Sequence, residues 1–443
     1  MRVLGIGHHG DLGDLYLRLS ALGHDVRVHI ADAESGDVLA GMVARSESWA
    51  DDVQWAGTRG LILFEGTGWG EQQDRLRRAG HRVIGGSALG DRLELDRAFG
   101  QQALRDAGLR TAEAHEFDGF DEAIGFVGRN PGRYVLKFSG AGFSSTRTYV
   151  GMLESGDDLL GLLRLQRRQW REAERPRLLL MAHLQGVEVG VGAWFDGRSF
   201  LRPANLDWEH KRFFPGDLGE LTGEMGTVVT YRGAQKLFDA TLARLGPMFA
   251  ESRYVGYVNL NMIVDDEGAH PLELTCRFGY PGFAILSALH AQPWDALFER
   301  LLEGQGEGQG EGQGEEEGEG LATHDGFAVG VVLTVPPFPY PDGYERLSKG
   351  APIFFDASMS ALDRQGLHYG EVRLDGDQLV TAGQIGYVMV VTGRGATIEQ
   401  ARTQAHERAR KVAIPNVRYR NDIGRALEQG QLAEMVRLGW MDG

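Results

Sequence analysis

The sequence predicts a multidomain protein of mixed class, with an α/β domain built on a doubly wound parallel sheet first and α+β domains after it. Three observations lead there. Residues 1–95 alternate short apolar runs with helical patterns, as in a parallel sheet. Residues 254–283, YVGYVNLNMIVDDEGAHPLELTCRFGYPGF, set two alternating runs around an Asp-Asp-Glu-Gly turn, the pattern of a β-hairpin. Residues 303–320, EGQGEGQGEGQGEEEGEG, hold no apolar anchor and repel themselves, so they read as an extended linker. A chain of 443 residues has room for about three domains at ~150 residues each.

In chain order, RVLGIG is a strand, Leu15 to Leu22 a helix, and DVRVHI a second strand. GLILFEG, a helix from Glu71 to Arg78, and RVIGGS complete the first domain, 1–95. Its turn GIGHHG (Gly5, Gly7, Gly10) has the spacing of a dinucleotide fingerprint, but Asp32 and Glu34 fall late for a ribose ligand. A tight turn explains the glycines equally well. Adjacent His8 and His9 point in different directions and make no metal pair. The backbone N–H groups at Gly7 and His8 are candidate ligands for a substrate phosphate. DRLELDRAFGQQALRDAG reads as one amphipathic helix ended by Gly108, with a strand from Ala112 to Phe117 after it. YVLKF, a Leu- and Arg-rich helix and RLLLMAHLQGVEVGVGAWFDG follow, making 96–302 an α+β domain with a small lid at about 115–182. The last domain, 321–443, holds FAVGVVLTV, VRLDGDQLVTAG, IGYVMVVTG and the helical TIEQARTQAHERARKVA, then a short closing helix.

The formal charge of −16 argues against non-specific nucleic-acid binding and against attraction to anionic membranes. No run nears the ~18 apolar residues of a membrane span, and the start does not read as a signal peptide. A single cysteine, Cys276, permits no internal disulfide and fits a reducing, cytoplasmic compartment. It lies between Thr275 and Arg277, so its thiol should face away from their side of the strand.

Asn261 on the first strand of the hairpin and Glu273 and Thr275 on the second share one face, with Arg277 beyond them. Oxygen ligands beside an arginine suit Mg²⁺ held against phosphate, although a half-buried hairpin with a wet polar face would carry the same pattern. Lys137 closes YVLKF ahead of SGAGFSST, where an ammonium and small residues can approach phosphates. A solvated edge residue is the plain alternative. Glu188, on VEVGVGAW, is placed to accept from ribose hydroxyls or is simply an exposed position of an alternating strand. Lys211 and Arg212 could meet anionic substrate groups, with a surface loop as the default on composition.

Together these motifs make the chain resemble phosphoribosylamine–glycine ligase (glycinamide ribonucleotide synthetase), an ATP-grasp family, in order over nearly its full length. The family's K-A-D-G falls on KFSG with Lys137, and its E-E-F-L-x-G-E-E falls on MAHLQGVE. Its D-H-K-R is Glu209 to Arg212, its G-P-N-T-G-G-M-G is Gly219 to Gly226, its E-F-N-x-R-F-G is Glu273 to Gly279, and its R-x-D-I-G starts at Arg420. The resemblance implies an ATP-grasp fold and an amide-forming ligase working through an acyl phosphate. It implies ATP held by Arg97, Lys137, Ser144, Ser145, His183, Leu184 and Glu188, and Mg²⁺ (or Mn²⁺) held by Asn261, Glu273 and Thr275. Arg277 and Lys211 would be catalytic. Gly7, His8, Arg212, Thr222, Gly223 and Arg277 would meet a small carboxylate (glycine or another amino acid) and an amine. A monomer or homodimer with no nucleic-acid or membrane partner is implied.

Departures gather where the family holds phosphoribosylamine. G-R-E-H is GDLG, G-D-P-E has lost both acids at Gly279 to Gly282, N-G-G-R-V is QIGYV with Tyr387 for arginine, and the loop lysine of A-G-K-G is Ser145. Thr275 replaces the asparagine metal ligand, while Arg97 keeps the charge of the lysine in S-K-x-F. The expectation is therefore a ligase of this type with a changed amine. An authentic phosphoribosylamine–glycine ligase and a catalytically inactive nucleotide-binding relative stay open.

Overall fold

The computed structural model describes residues 1–139, 148–170, 176–303 and 320–442. Ser144, Ser145 and nearly all of the acidic run lie outside them. The first sheet is parallel, with strands in the order Ala44–Arg45, Asp25–Ile30, Arg2–Gly7, Leu61–Phe64, Arg82–Ile84. This is the doubly wound domain expected, with one helix the apolar pattern did not reveal, Trp49–Ala56, capped by Ser48. A second, antiparallel sheet of four strands carries Lys137 on Tyr134–Ser139, between Arg177–Ala182 and Tyr149–Val150. Helices Phe120–Arg129 and Asp157–Gln169 cover one face of it through Phe120, Val127, Leu159 and Leu163. Lys137 is thus on an interior strand and not a solvated edge.

A third sheet, of eight antiparallel strands, forms the centre. Its order is Gly268–Thr275, Val255–Asp265, Val187–Asp196, Asn205–Glu209, Gly226–Thr230, Phe327–Thr334, Tyr387–Gly395, Leu367–Tyr369. The strand that opens the segment after the acidic run pairs directly with Gly226–Thr230, so that segment continues the sheet before it. Three of the central strands obey strict alternation. Val258, Leu260, Met262 and Val264 turn to the core with Val187, Val189, Val191, Leu206 and Trp208, all at most 3% exposed. Each such side chain contributes about 1.5–3 kcal/mol by leaving water, which pins the register. Polar residues between them, Asn259, Asn261, Glu188, Asn205, Asp207 and Glu209, are left on the opposite face.

One expectation needs correcting. The run from Asp91 to Gly108 is two helices, Ala88–Leu95 and Arg97–Asp106. Asp96 takes an extended conformation between them, and its carboxylate accepts from the Phe99 amide at 3.1 Å, an N-cap that outweighs the continuous apolar stripe. The break turns Glu94 and Arg97 toward the central hairpin. At the other end of the chain, Arg420 is 1% exposed and binds Asp422 twice at 2.8 Å, while donating to the Arg212 carbonyl at 3.0 Å. Asp422 accepts from Gly216 at 2.8 Å. The Arg420–Asp422 pair therefore anchors the loop that carries Lys211. Arg420→Met strands a mostly buried carboxylate and is expected to destabilise by about 3 kcal/mol. A fall in urea midpoint at constant slope measures it, and an unchanged midpoint contradicts the anchor.

Candidate nucleotide and ligase site

The four-stranded sheet and the central sheet enclose a cavity of ≈ 630 Å³, within the range of small-molecule sites. Lys137, His183, Leu184, Glu188, Lys211, Asn261, Glu273 and Thr275 line it together with Arg97, Arg277, Thr222 and Gly223. Residues drawn from five separate stretches of sequence thus meet in one space.

Glu273 is the meeting point. Its Oε2 accepts from Arg97 at 2.9 Å and from Lys137 at 3.4 Å, and its Oε1 lies 3.9 Å from Lys211. Lys137 foremost, with Lys211 and Arg97, holds this carboxyl far below the usual carboxylate range against the opposing effect of burial. Burial, with Arg97 and Lys211 nearby, lowers the Lys137 ammonium, and Glu273 opposes that shift. Lys211 also touches Glu188 at 2.8 Å and Glu209 at 3.1 Å. Burial pulls its ammonium down, but Glu188, Glu209 and Glu273 outweigh that and push it well up, so Lys211 stays charged.

For a divalent cation the hairpin offers hard oxygen donors. Register sets Asn261 opposite Glu273 and Asn259 opposite Thr275. The Asn261 amide donates to Glu209 at 3.0 Å, which leaves its carbonyl oxygen for a cation. Among the described residues no cluster of three His, Cys, Asp or Glu forms a protein-only cage. One carboxylate with two neutral oxygens fits Mg²⁺ completed by phosphate and water. Arg277 donates to Glu94 at 2.9 Å, and the same carboxylate accepts from the Cys276 amide. Cys276 is buried on the far face, as expected.

Other candidates stand apart from the cavity lining. The Arg212 guanidinium donates to the Gly219 carbonyl at 2.7 Å. In the first-domain turn, the Gly10 and Asp11 amides donate to Glu65 Oε2 at 3.2 and 3.0 Å. Those amides, near the Gly7–His8 position, are committed to a buried carboxylate from the chain itself. Burial, then Asp11, raises Glu65 to about 7.

Alternation alone did not single out the floor of the cavity. Tyr257 donates to Asn205 at 3.0 Å, and Asn205 and Asn259 donate to one oxygen of Asp207 at 3.0 and 2.6 Å. Two strand glycines make this possible: a Cβ at Gly190 would meet Asp207 at 2.1 Å, and one at Gly192 would meet the Tyr257 hydroxyl at 1.8 Å. Period-two polarity in NLDWE and VNLN, facing the glycines of VEVGVG, was the available signal. Burial, then Glu209, raises Asp207 to about 7. Its folded-state value lies above the unfolded one, so the stability it lends is complete below about pH 4 and is lost as pH rises through about 7. Asp207→Asn is expected to flatten the fall in Tm between pH 5 and 8; parallel Tm profiles for variant and wild type would refute the shift.

Comparison with known proteins identifies the family and the fold. The profile of the phosphoribosylglycinamide synthetase ATP-grasp (A) domain matches residues 95–283, and that of the C domain of the same enzyme matches 328–426. Phosphoribosylamine–glycine ligase of Neisseria meningitidis serogroup A is 26% identical over 363 residues, 79% of this chain and 80% of that protein. The Nostoc enzyme of that name is 28% identical over 360 residues, 79% of this chain and 80% of its own. Among solved structures, phosphoribosylamine–glycine ligase from Thermotoga maritima superposes with TM-score 0.69 at 23% identity, covering 96% of this chain and 100% of that one. A biotin carboxylase–β,γ-ATP complex from Campylobacter jejuni gives TM-score 0.60 at 12% identity, covering 97% and 95%. No helix among the described residues is long and apolar enough to cross a membrane. With the ATP-grasp and C domain models of that enzyme matched in order and its fold shared, the chain belongs to the phosphoribosylglycinamide synthetase family of ATP-grasp ligases.

Proposed function

We propose that the protein is an ATP-dependent carboxylate–amine ligase that activates a small carboxylate, glycine or another amino acid, and joins it to an amine other than phosphoribosylamine. The observation that carries the ligase chemistry is the gathering of Lys137, Arg97 and Lys211 around Glu273 in one cavity. Among the described residues Lys137 and Arg97 have only Glu273 as a carboxylate partner, and Lys211 already draws on that same carboxylate, so a triphosphate supplies the anions that these two cations lack. Glu188 is offered to ribose hydroxyls, and His183 and Leu184 line the same space for the base.

A carboxylate oxygen of the substrate takes the γ-phosphoryl group and ADP leaves. The amine nitrogen then attacks the acyl carbon, the C–N bond forms, and phosphate departs with the electron pair of the broken C–O bond. Such transfer depends on positioning and charge neutralisation. Lys137 and Lys211 neutralise charge growing on the phosphoryl oxygens, and Arg277, fixed by Glu94, presents a guanidinium at the acyl end. Mg²⁺ bound by Glu273, Asn261 and Thr275 would add Lewis-acid polarisation of the phosphates. A cytoplasmic location goes with this reading.

Two features support a changed amine. The Gly10 and Asp11 amides of the first-domain turn, just beyond the Gly7 and His8 amides expected to meet a substrate phosphate, are taken up by Glu65. Tyr387, where the family has arginine, lies against Tyr280 with ring centroids 5.0 Å apart and planes tilted by 47°. The identity and coverage of the Neisseria and Nostoc enzymes favour the second reading, an authentic phosphoribosylamine–glycine ligase. ADP release over a matrix of amino acids and amines decides between them. Turnover is expected with at least one pair lacking phosphoribosylamine, and Lys137→Met should lower kcat/KM by about 100-fold or more. Turnover of about 1 s⁻¹ or faster with glycine and phosphoribosylamine contradicts the changed amine. Silence across the whole matrix contradicts the ligase.

A further inference from the structure

Part of the cavity lining is acidic. Asp207 and Glu209 project from one strand, and Glu224 comes from the turn before the next. Positive charge near them is already engaged: Lys211 is shared among Glu188, Glu209 and Glu273, and Arg277 is paired with Glu94. Neither Asp207 nor Glu224 makes an ion pair among the described residues.

Two further atoms lack partners. Thr227, 1% exposed, sits opposite Glu209 in the strand register, lines the cavity and leaves its hydroxyl unbonded. Glu224, 6% exposed, leaves Oε1 unbonded in the same space. Buried hydroxyl and carboxylate oxygens without partners cost about 1–3 kcal/mol each or more, and a donor-rich ligand relieves that cost. A phosphate or carboxylate would instead add negative charge beside three acids.

Resting on the ligase reading above, we propose that this compartment takes an acceptor amine bearing a second positive charge, an ammonium or guanidinium bound by Asp207, Glu209 and Glu224 with Thr227 as a neutral acceptor. An arriving cation favours the charged form of two of these carboxyls against the burial that opposes it. Burial foremost, with Glu209 nearby, holds both Asp207 and Glu224 above their ordinary values. When the nucleophilic nitrogen of the bound amine attacks the acyl phosphate, the C–N bond forms and phosphate leaves with the C–O electron pair. The proton lost from nitrogen is taken up by the departing phosphate.

Calorimetry on the full chain with Mg²⁺ and a non-hydrolysable ATP analogue tests this, with 1,4-diaminobutane and agmatine set against butylamine and O-phosphoethanolamine. The dications are expected to bind at least about tenfold tighter than either comparison amine. Glu224→Gln, which keeps the shape of the side chain, should remove most of that preference while leaving nucleotide affinity within about twofold. Asp207→Asn serves as a second charge-removing variant. Nucleotide binding with equal or tighter capture of butylamine or O-phosphoethanolamine overturns the cationic acceptor and leaves the ligase reading standing. A preference for dications that survives both substitutions overturns the assignment to these acids. Absence of nucleotide binding removes the ligase reading itself.

Discussion

The pairing of Glu273 with Lys137, Arg97 and Lys211 is the interaction on which the rest of the molecule depends. Its four members come from the hairpin, the four-stranded sheet, the helix that starts just after the break at Asp96, and the loop beyond Glu209. A charge pair at 4 Å is worth about 4 kcal/mol when partly shielded, so each contact ties its element to the others. Desolvation offsets much of that gain. What the cluster secures is geometry more than stability: like charges this close are tolerable only around a shared counter-charge. Bringing a polyphosphate into the cavity replaces one counter-ion with several.

Around that centre the central sheet separates two tasks. One face is apolar and carries the packing, from Val187 to Val191 and from Val258 to Val264. The other is a polar floor in which Gly190 and Gly192 give up side chains so that Asp207 and Tyr257 can lie across their strand. Glycine in a strand interior costs stability, and here the return is a hydrogen-bonded platform from Tyr257 through Asn205 and Asp207 to Asn259. Arg420 and Asp422, from the far end of the chain, brace the loop beside it.

Local patterning in the sequence revealed the parallel first domain, the hairpin and the orientation of Cys276, because each follows from a period of two or from strand–helix alternation. Lys137, Glu188 and Glu273 were visible as charged residues in apolar runs. The split at Asp96 was missed because an apolar stripe continues across it, although Asp96 is a good capping residue. Glu65 was missed for another reason. It closes an ordinary buried strand, and only the fold carries its carboxylate to the Gly10 amide, 55 residues earlier in the chain. The continuous eight-stranded sheet was hidden by the acidic run, which reads as a boundary while the strands on either side of it pair.

The most direct measurement is equilibrium binding of ATP to the intact protein with and without magnesium, repeated with Glu273→Gln. Wild type is expected to bind at least about tenfold tighter at millimolar magnesium than in its absence, and the variant to lose that enhancement. Equal affinity under both conditions, or a variant that keeps the full magnesium response, would mean that the cations and the carboxylate around Glu273 do not hold a nucleotide.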